Sequence, residues 1–167
     1  DSNLDYAWFR KDEARAFLPA EPKKDARHNV PRELVLRIAR FHLIDNVHAL
    51  NYTFFPKEAI EKARLTSTVV EVEDDLVSVI FEGETRASMV SPNKIGYEPK
   101  LLGRASFNLK EQKFVSFELL AVGMRWGLGS CNQRHNPAPA LMGIVFSLAG
   151  DSQAERLPPA FISRYGW

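Results

Sequence analysis

The chain has 167 residues, enough for one core of common size, whereas two independent folds would each be small. With 45% hydrophobic and 26% charged residues it has the mix of a packed globular fold, which excludes a wholly disordered or fibrous chain. Lys and Arg number 22 against 21 Asp and Glu, a formal charge of +1, so no overall field draws the chain to nucleic acid or to a membrane surface.

Residues 1–29 read as an N-terminal arm lying over a core. Its first residues, Asp1 to Asp5, lack an initiator Met, a basic region and an apolar region, and read as a processed end or a cut. Asp12 to Leu18 makes a short helical turn stopped by Pro19 and Pro22. Lys23, Lys24, Arg27 and Arg32 form a basic run without interleaved aromatics, read as solvated surface rather than a nucleic-acid track.

Residues 30–150 read as the core domain, opened by a long helix from Pro31 to about Leu50. Pro31 suits the first turn, Glu33 lies near the positive end of the dipole, and no Gly or Pro interrupts the run. At about 100° per residue Leu34, Ile38 and Phe41 share one face while Leu36, Leu43 and Val47 form a second strip, so the helix is expected to be clasped on two sides. Phe55 to Ala63, with Pro56 near its start, reads as a second, short helix.

The period then changes to two. Leu65–Asp74 and Leu76–Glu84 read as a hairpin turned at Asp74-Asp75, with acidic side chains on its exposed face. Leu101–Leu109 and Val115–Val122 form a second hairpin around Lys110-Glu111-Gln112-Lys113, and Leu141–Leu148 is a last strand. Residues 151–167, with Pro158-Pro159 and an aromatic end, read as a covering tail. Helices followed by five successive strands predict an α+β fold: a curved antiparallel five-stranded meander packed around one long helix, with N- and C-terminal arms.

The polar residues on the apolar face of the long helix are the first candidate site. His42, Asp45 and His48 fall within or beside that face, where polar groups must be paired or bind something. His42 and Asp45 would serve as an acid–base pair in a pocket between helix and sheet. A metal on His42, Asp45 and His48 is less suited, because the two histidines are six residues apart rather than four. The structural alternative is that Asp45 fixes the helix by accepting hydrogen bonds from His42, a backbone amide or a loop arginine.

The second candidate is the loop from Met124 to Pro139, long enough to suggest a binding or assembly role. It carries Arg125, Trp126, Cys131, Arg134 and His135. Cys131 and His135 would make a nucleophile pair, but no third group orients them. Cys131 is also the only cysteine, so the chain alone builds neither a disulfide nor a multi-cysteine metal site, and the redox compartment stays open. Gly127-Leu128-Gly129 opens no helix and is not a dinucleotide fingerprint; no cofactor is expected. Asn51-Tyr52-Thr53 fits an N-glycosylation triplet. No apolar run approaches the roughly 20 residues that span a bilayer.

Three stretches carry a family likeness: Lys11 to Pro19, Arg40-Phe41-His42-Leu43-Ile44-Asp45-Asn46, and Leu101-Leu102-Gly103 through Phe117 to Gly123, Trp126-Gly127 and Met142-Gly143. Together they resemble an uncharacterised family of predicted exported proteins from environmental bacteria. The resemblance implies an extracytoplasmic setting, periplasmic or secreted, and no reaction or cofactor. With the aromatic arms (Tyr6, Trp8, Phe9; Phe161, Tyr165, Trp167), it leads to a first expectation of a non-enzymatic module or accessory subunit that binds a protein partner or forms a homo-oligomer. The second expectation is a small-ligand or enzymatic pocket using His42 and Asp45, with Arg125 or Arg134 steering an anion.

Overall fold

The computed structural model describes residues 4–45, 54–90, 94–128 and 136–167. Six strands follow one another in chain order and each bonds to the next, antiparallel throughout: β1 (Arg27–Asn29), β2 (Ile60–Glu73), β3 (Leu76–Met89), β4 (Ile95–Asn108), β5 (Lys113–Trp126) and β6 (Ala140–Ser147). Two α-helices precede the long strands, α1 (Lys11–Arg15) and α2 (Arg32–Phe41).

This corrects the expected five-stranded meander around one long helix. The molecule is mostly β, and α2, with ten residues, is the one helix of seven or more among the described residues. The amides of His42 and Leu43 both donate to the Ile38 carbonyl, which closes the helix at Phe41. Arg40 then pins the returning chain: its carbonyl accepts from the Phe55 amide and its Nε donates to the Phe55 carbonyl.

The expected second helix is a single 3-10 turn, Lys57–Ala59, after which β2 starts at Ile60. Ile60 and Ala63 are both buried and three residues apart, the spacing of a helix face. A β-bulge between Ile60 and Lys62 produces that spacing inside a strand, because the extra residue shifts the alternation by one. The sixth strand, β1, carries the polar sequence Arg-His-Asn, which no alternation reveals; pairing with Thr66 to Thr68 and a contact from His28 Nε2 to the Ala16 carbonyl hold it.

Strands β2 to β5 have 14 residues each, about 45 Å at 3.3 Å per residue. Pro99 lies well inside β4 although a proline breaks a ladder, and it faces Gly123. A Cβ at Gly123 would collide with the Glu98 carbonyl and sit 2.5 Å from Pro99 Cα, so only glycine lets β5 approach there.

One face of the sheet holds the core. Leu65, Val69, Val79, Phe81, Leu101 and Leu119 are buried beneath Leu34, Val35 and Ile38 of α2 and Phe17 of the arm. Phe17 meets Phe81, Phe114 and Phe117 edge to face at centroid distances of 6.1, 6.0 and 6.4 Å. Burying one such ring stabilises the fold by roughly 1.5–3 kcal/mol. The arm is therefore part of the core.

Candidate functional site

Both arms converge on the polar side of α2. Arg37 and Glu13 form a two-pronged ion pair, Nη1 to Oε2 at 2.8 Å and Nη2 to Oε1 at 2.5 Å, with each side chain only 10% exposed. The Arg10 amide and the Trp167 indole also donate to the Glu13 carboxylate, at 2.9 and 3.3 Å. The Arg37 hydrogen bonds, against the opposing effect of burial, hold this carboxyl down at about 2. Around the same guanidinium stand the rings of Tyr165, Trp167 and Phe9, at 4.7, 5.2 and 5.3 Å. Cation–π attraction reinforces the ion pair.

His42 follows at the end of α2. Its Nδ1 lies 3.2 Å from Asp5 Oδ2 and its Nε2 lies 2.5 Å from the Tyr165 hydroxyl. Burial pushes the Asp5 carboxyl up, but the His42 hydrogen bond and the amides of Ala160 and Tyr6 outweigh it and leave the group below its usual value. An ionised Asp5 accepts from Nδ1–H, and Nε2 shares the second hydrogen bond with the Tyr165 hydroxyl. Burial raises Tyr165 above the ordinary phenol value, so it holds its proton at neutral pH. Stacked on Phe41 with centroids 5.7 Å apart, Tyr165 ties the tail to the helix. The array clasps the N-terminal arm and the tail segment together on α2. Both nitrogens of His42 are engaged, and neither partner is Asp45.

Asp45 instead faces Arg125, with Oδ2 and Nε 3.9 Å apart and both side chains nearly buried. Arg125 also donates to the Asn136 carbonyl at 3.2 Å. Asp45 thus pairs with an arginine, but Arg125 and Trp126 belong to β5, whose pairing with β4 runs through Trp126, and not to the expected loop from Met124. Tyr97, raised by burial and by the Asp45 charge, directs its hydroxyl to the carbonyls of Ala121 and Met142, both at 3.0 Å. Trp126 lies on the opposite face, over Gly96, with the Arg86 guanidinium 5.5 Å from its ring. Thus Arg125 and Trp126, neighbours in sequence, serve different faces. His48, Cys131, Arg134, His135 and the triplet Asn51 to Thr53 lie outside the described residues. Among the described residues no group of three or more His, Cys, Asp or Glu could hold a metal ion, and no helix is long and apolar enough to cross a membrane.

The face of the sheet away from α2 carries a feature that the sequence reading passed over. Leu102, Leu120 and Val145 stand directly opposite one another on β4, β5 and β6 and are 59, 41 and 71% exposed. The next rows along the strands are Lys100, Val122 and Gly143, then Glu98, Met124 and Leu141, the last 73% exposed. Leu120, Val122, Met124, Leu141 and Val145 with Gly143 make an apolar patch about 14 Å long on β5 and β6, which β4 joins at Leu102 and borders with Lys100 and Glu98. An ion pair from Arg104 Nε to Glu118 Oε2, 2.8 Å, closes one end, and Arg86 with Glu98 closes the other. Gly143 leaves a dip in the middle row.

The missed signal was Leu119-Leu120-Ala121-Val122. A strand buried on one face should not place Leu120 and Val122 on the other without a reason. No protein-family model, no curated protein and no solved structure matches this chain.

Proposed function

We propose that the protein is a binding module acting through protein–protein contacts, and that the outer apolar patch of β4, β5 and β6 receives an amphipathic helix of a partner protein. The observation that carries this reading is the row Leu102, Leu120 and Val145, three exposed aliphatic side chains in register across three strands. Solvated sheet faces alternate polar outward, and an exposed contiguous apolar area marks contact sites. The dimensions favour a helix, since about 14 Å is the rise of roughly nine residues. Charged side chains along its border, Lys100 and Glu98 on β4 and the Arg104–Glu118 pair, suit an apolar stripe with polar flanks.

The test places a photo-crosslinking residue at Met124 in the cells of origin and identifies adducts by mass spectrometry. Support requires one protein that binds the purified chain again and binds Leu102→Glu at least tenfold more weakly. Absence of a reproducible adduct, or equal binding by L102E, refutes the proposal.

A further inference from the structure

The geometry points to a homodimer in which β6 pairs antiparallel with β6 of a second copy, extending the sheet through a two-fold axis at Gly143. This deepens the protein-binding reading, because it identifies one partner as the chain itself and places it on the edge of the sheet rather than on its face.

The two edges of the sheet differ. At one end β1 is three residues long, carries Arg27 and is followed by Pro31, features that discourage a further strand. At the other end β6 reads Ala-Leu-Met-Gly-Ile-Val-Phe-Ser, eight residues with no charge, no proline and no bulge in its pairing with β5. No described strand pairs with its outer side. Natural edge strands of this length are blunted by lysine, proline or a bulge unless something covers them.

The direction of its backbone groups follows from one bond. The Leu148 amide donates to the Phe117 carbonyl at 3.0 Å, and the register runs unbroken through β6, so the backbones of Phe146, Ile144 and Met142 face β5. Leu141, Gly143 and Val145 therefore turn their N–H and C=O groups to the free edge. These residues also present their side chains on the outer face.

A second copy fits this edge symmetrically. Antiparallel pairing of Gly143 with itself sets Leu141 opposite the partner subunit's Val145, and Val145 opposite the partner subunit's Leu141. Three such pairs exchange about six hydrogen bonds. Pro139, without an N–H, ends the seam opposite Ser147 in both copies. On the inner face Met142 meets the partner subunit's Ile144. No charge enters the seam, and like meets like only at a glycine, where no side chains crowd the axis. The contact is isologous and closed, as for most symmetric dimers. It leaves the outer patches of the two copies side by side and uncovered.

The experiment measures mass by sedimentation at about 100 μM. The wild type is expected at twice the 18.9 kDa chain, and Gly143→Lys and Gly143→Glu are each expected as monomers, because like charges then face each other across the axis. A Cβ at position 143 finds its nearest atom, Val122 Cγ2, at 3.8 Å, so the monomer has room for either side chain. Mixing G143K with G143E should restore a dimer containing one of each. A monomeric wild type, a G143K that remains dimeric, or a mixture that stays monomeric overturns the proposal. Should G143K unfold, Val145→Pro gives the same test, since its N–H faces the free edge and β5 loses no bond. L102E should remain dimeric, so loss of a partner in that variant and loss of the dimer in G143K are separate results.

Discussion

Replacing Glu13 by Gln tests the clasp at its most polar point. In the wild type the carboxylate accepts two bonds from Arg37, one from the Arg10 amide and one from the Trp167 indole. A carboxyl held at about 2 against a usual 4.5 is stabilised in its charged form by about 3 kcal/mol, at about 1.4 kcal/mol per pH unit. Glutamine keeps one oxygen but turns an NH2 group toward donors, and it leaves Arg37, 10% exposed, without a counter-charge. The expected loss at pH 7 is about 3 kcal/mol, or a melting temperature lower by roughly 6–12 °C for a chain of this size. The folded pKa is depressed, so this stability is present above about 4.5 and disappears as the pH falls toward 2. Urea unfolding followed by tryptophan fluorescence at intervals from pH 7 to pH 2 checks both parts. The Asp5 carboxyl is also lowered from its usual value, so the informative quantity is the difference between wild type and E13Q. A difference below about 1 kcal/mol at pH 7, or one that does not shrink between pH 5 and pH 2, would refute the reasoning.

Other substitutions probe the remaining contacts. Tyr165→Phe removes the hydroxyl on His42 Nε2 and should cost about 1–3 kcal/mol, because a buried ring nitrogen loses its partner; an unchanged urea midpoint would argue against the clasp. Gly96→Ala drives a Cβ into the Trp126 ring and should destabilise by about 1–3 kcal/mol with a shift in Trp126 emission, whereas Gly143→Ala should stay near neutral. Tyr97→Phe removes the donor shared by the Ala121 and Met142 carbonyls, and faster hydrogen exchange along β6 than along β3 is expected.

The strand pattern was legible wherever one face is apolar and the other polar. Val77, Val79 and Phe81 alternate with Ser78 and Glu82, and the hairpins at Asp74-Asp75 and Lys110 to Lys113 appear where the turn residues stand. The Asn108 side chain accepts from the Lys110 and Glu111 amides, so local chemistry alone marks that turn. Strand ends were less legible. Pro99 hid the first six residues of β4, because its tolerance depends on Gly123 in another strand, and the bulge at Ile60 imitated a helix face. The clasp was invisible for a different reason. Asp5, Glu13, Arg37 and Tyr165 carry no common motif, and only closure of the two arms on α2 brings them within bonding distance. His42 was identified as a buried polar residue needing partners, but the nearby Asp45 was not among them.

Asp5 also accepts a bond from the Ala160 amide, 155 positions away in the chain. Contacts of such separation carry the largest loop-closure cost and are reached late, after the hairpins on either side of β3 and β5 have assembled from neighbouring segments. During synthesis from the N-terminus, Arg37 therefore waits on a nearly finished sheet until Tyr165 and Trp167 emerge. Without Tyr165 and Trp167, Arg37 would keep Glu13 and the Phe9 ring but lose two of the three rings around its guanidinium, leaving that side of α2 more open to solvent.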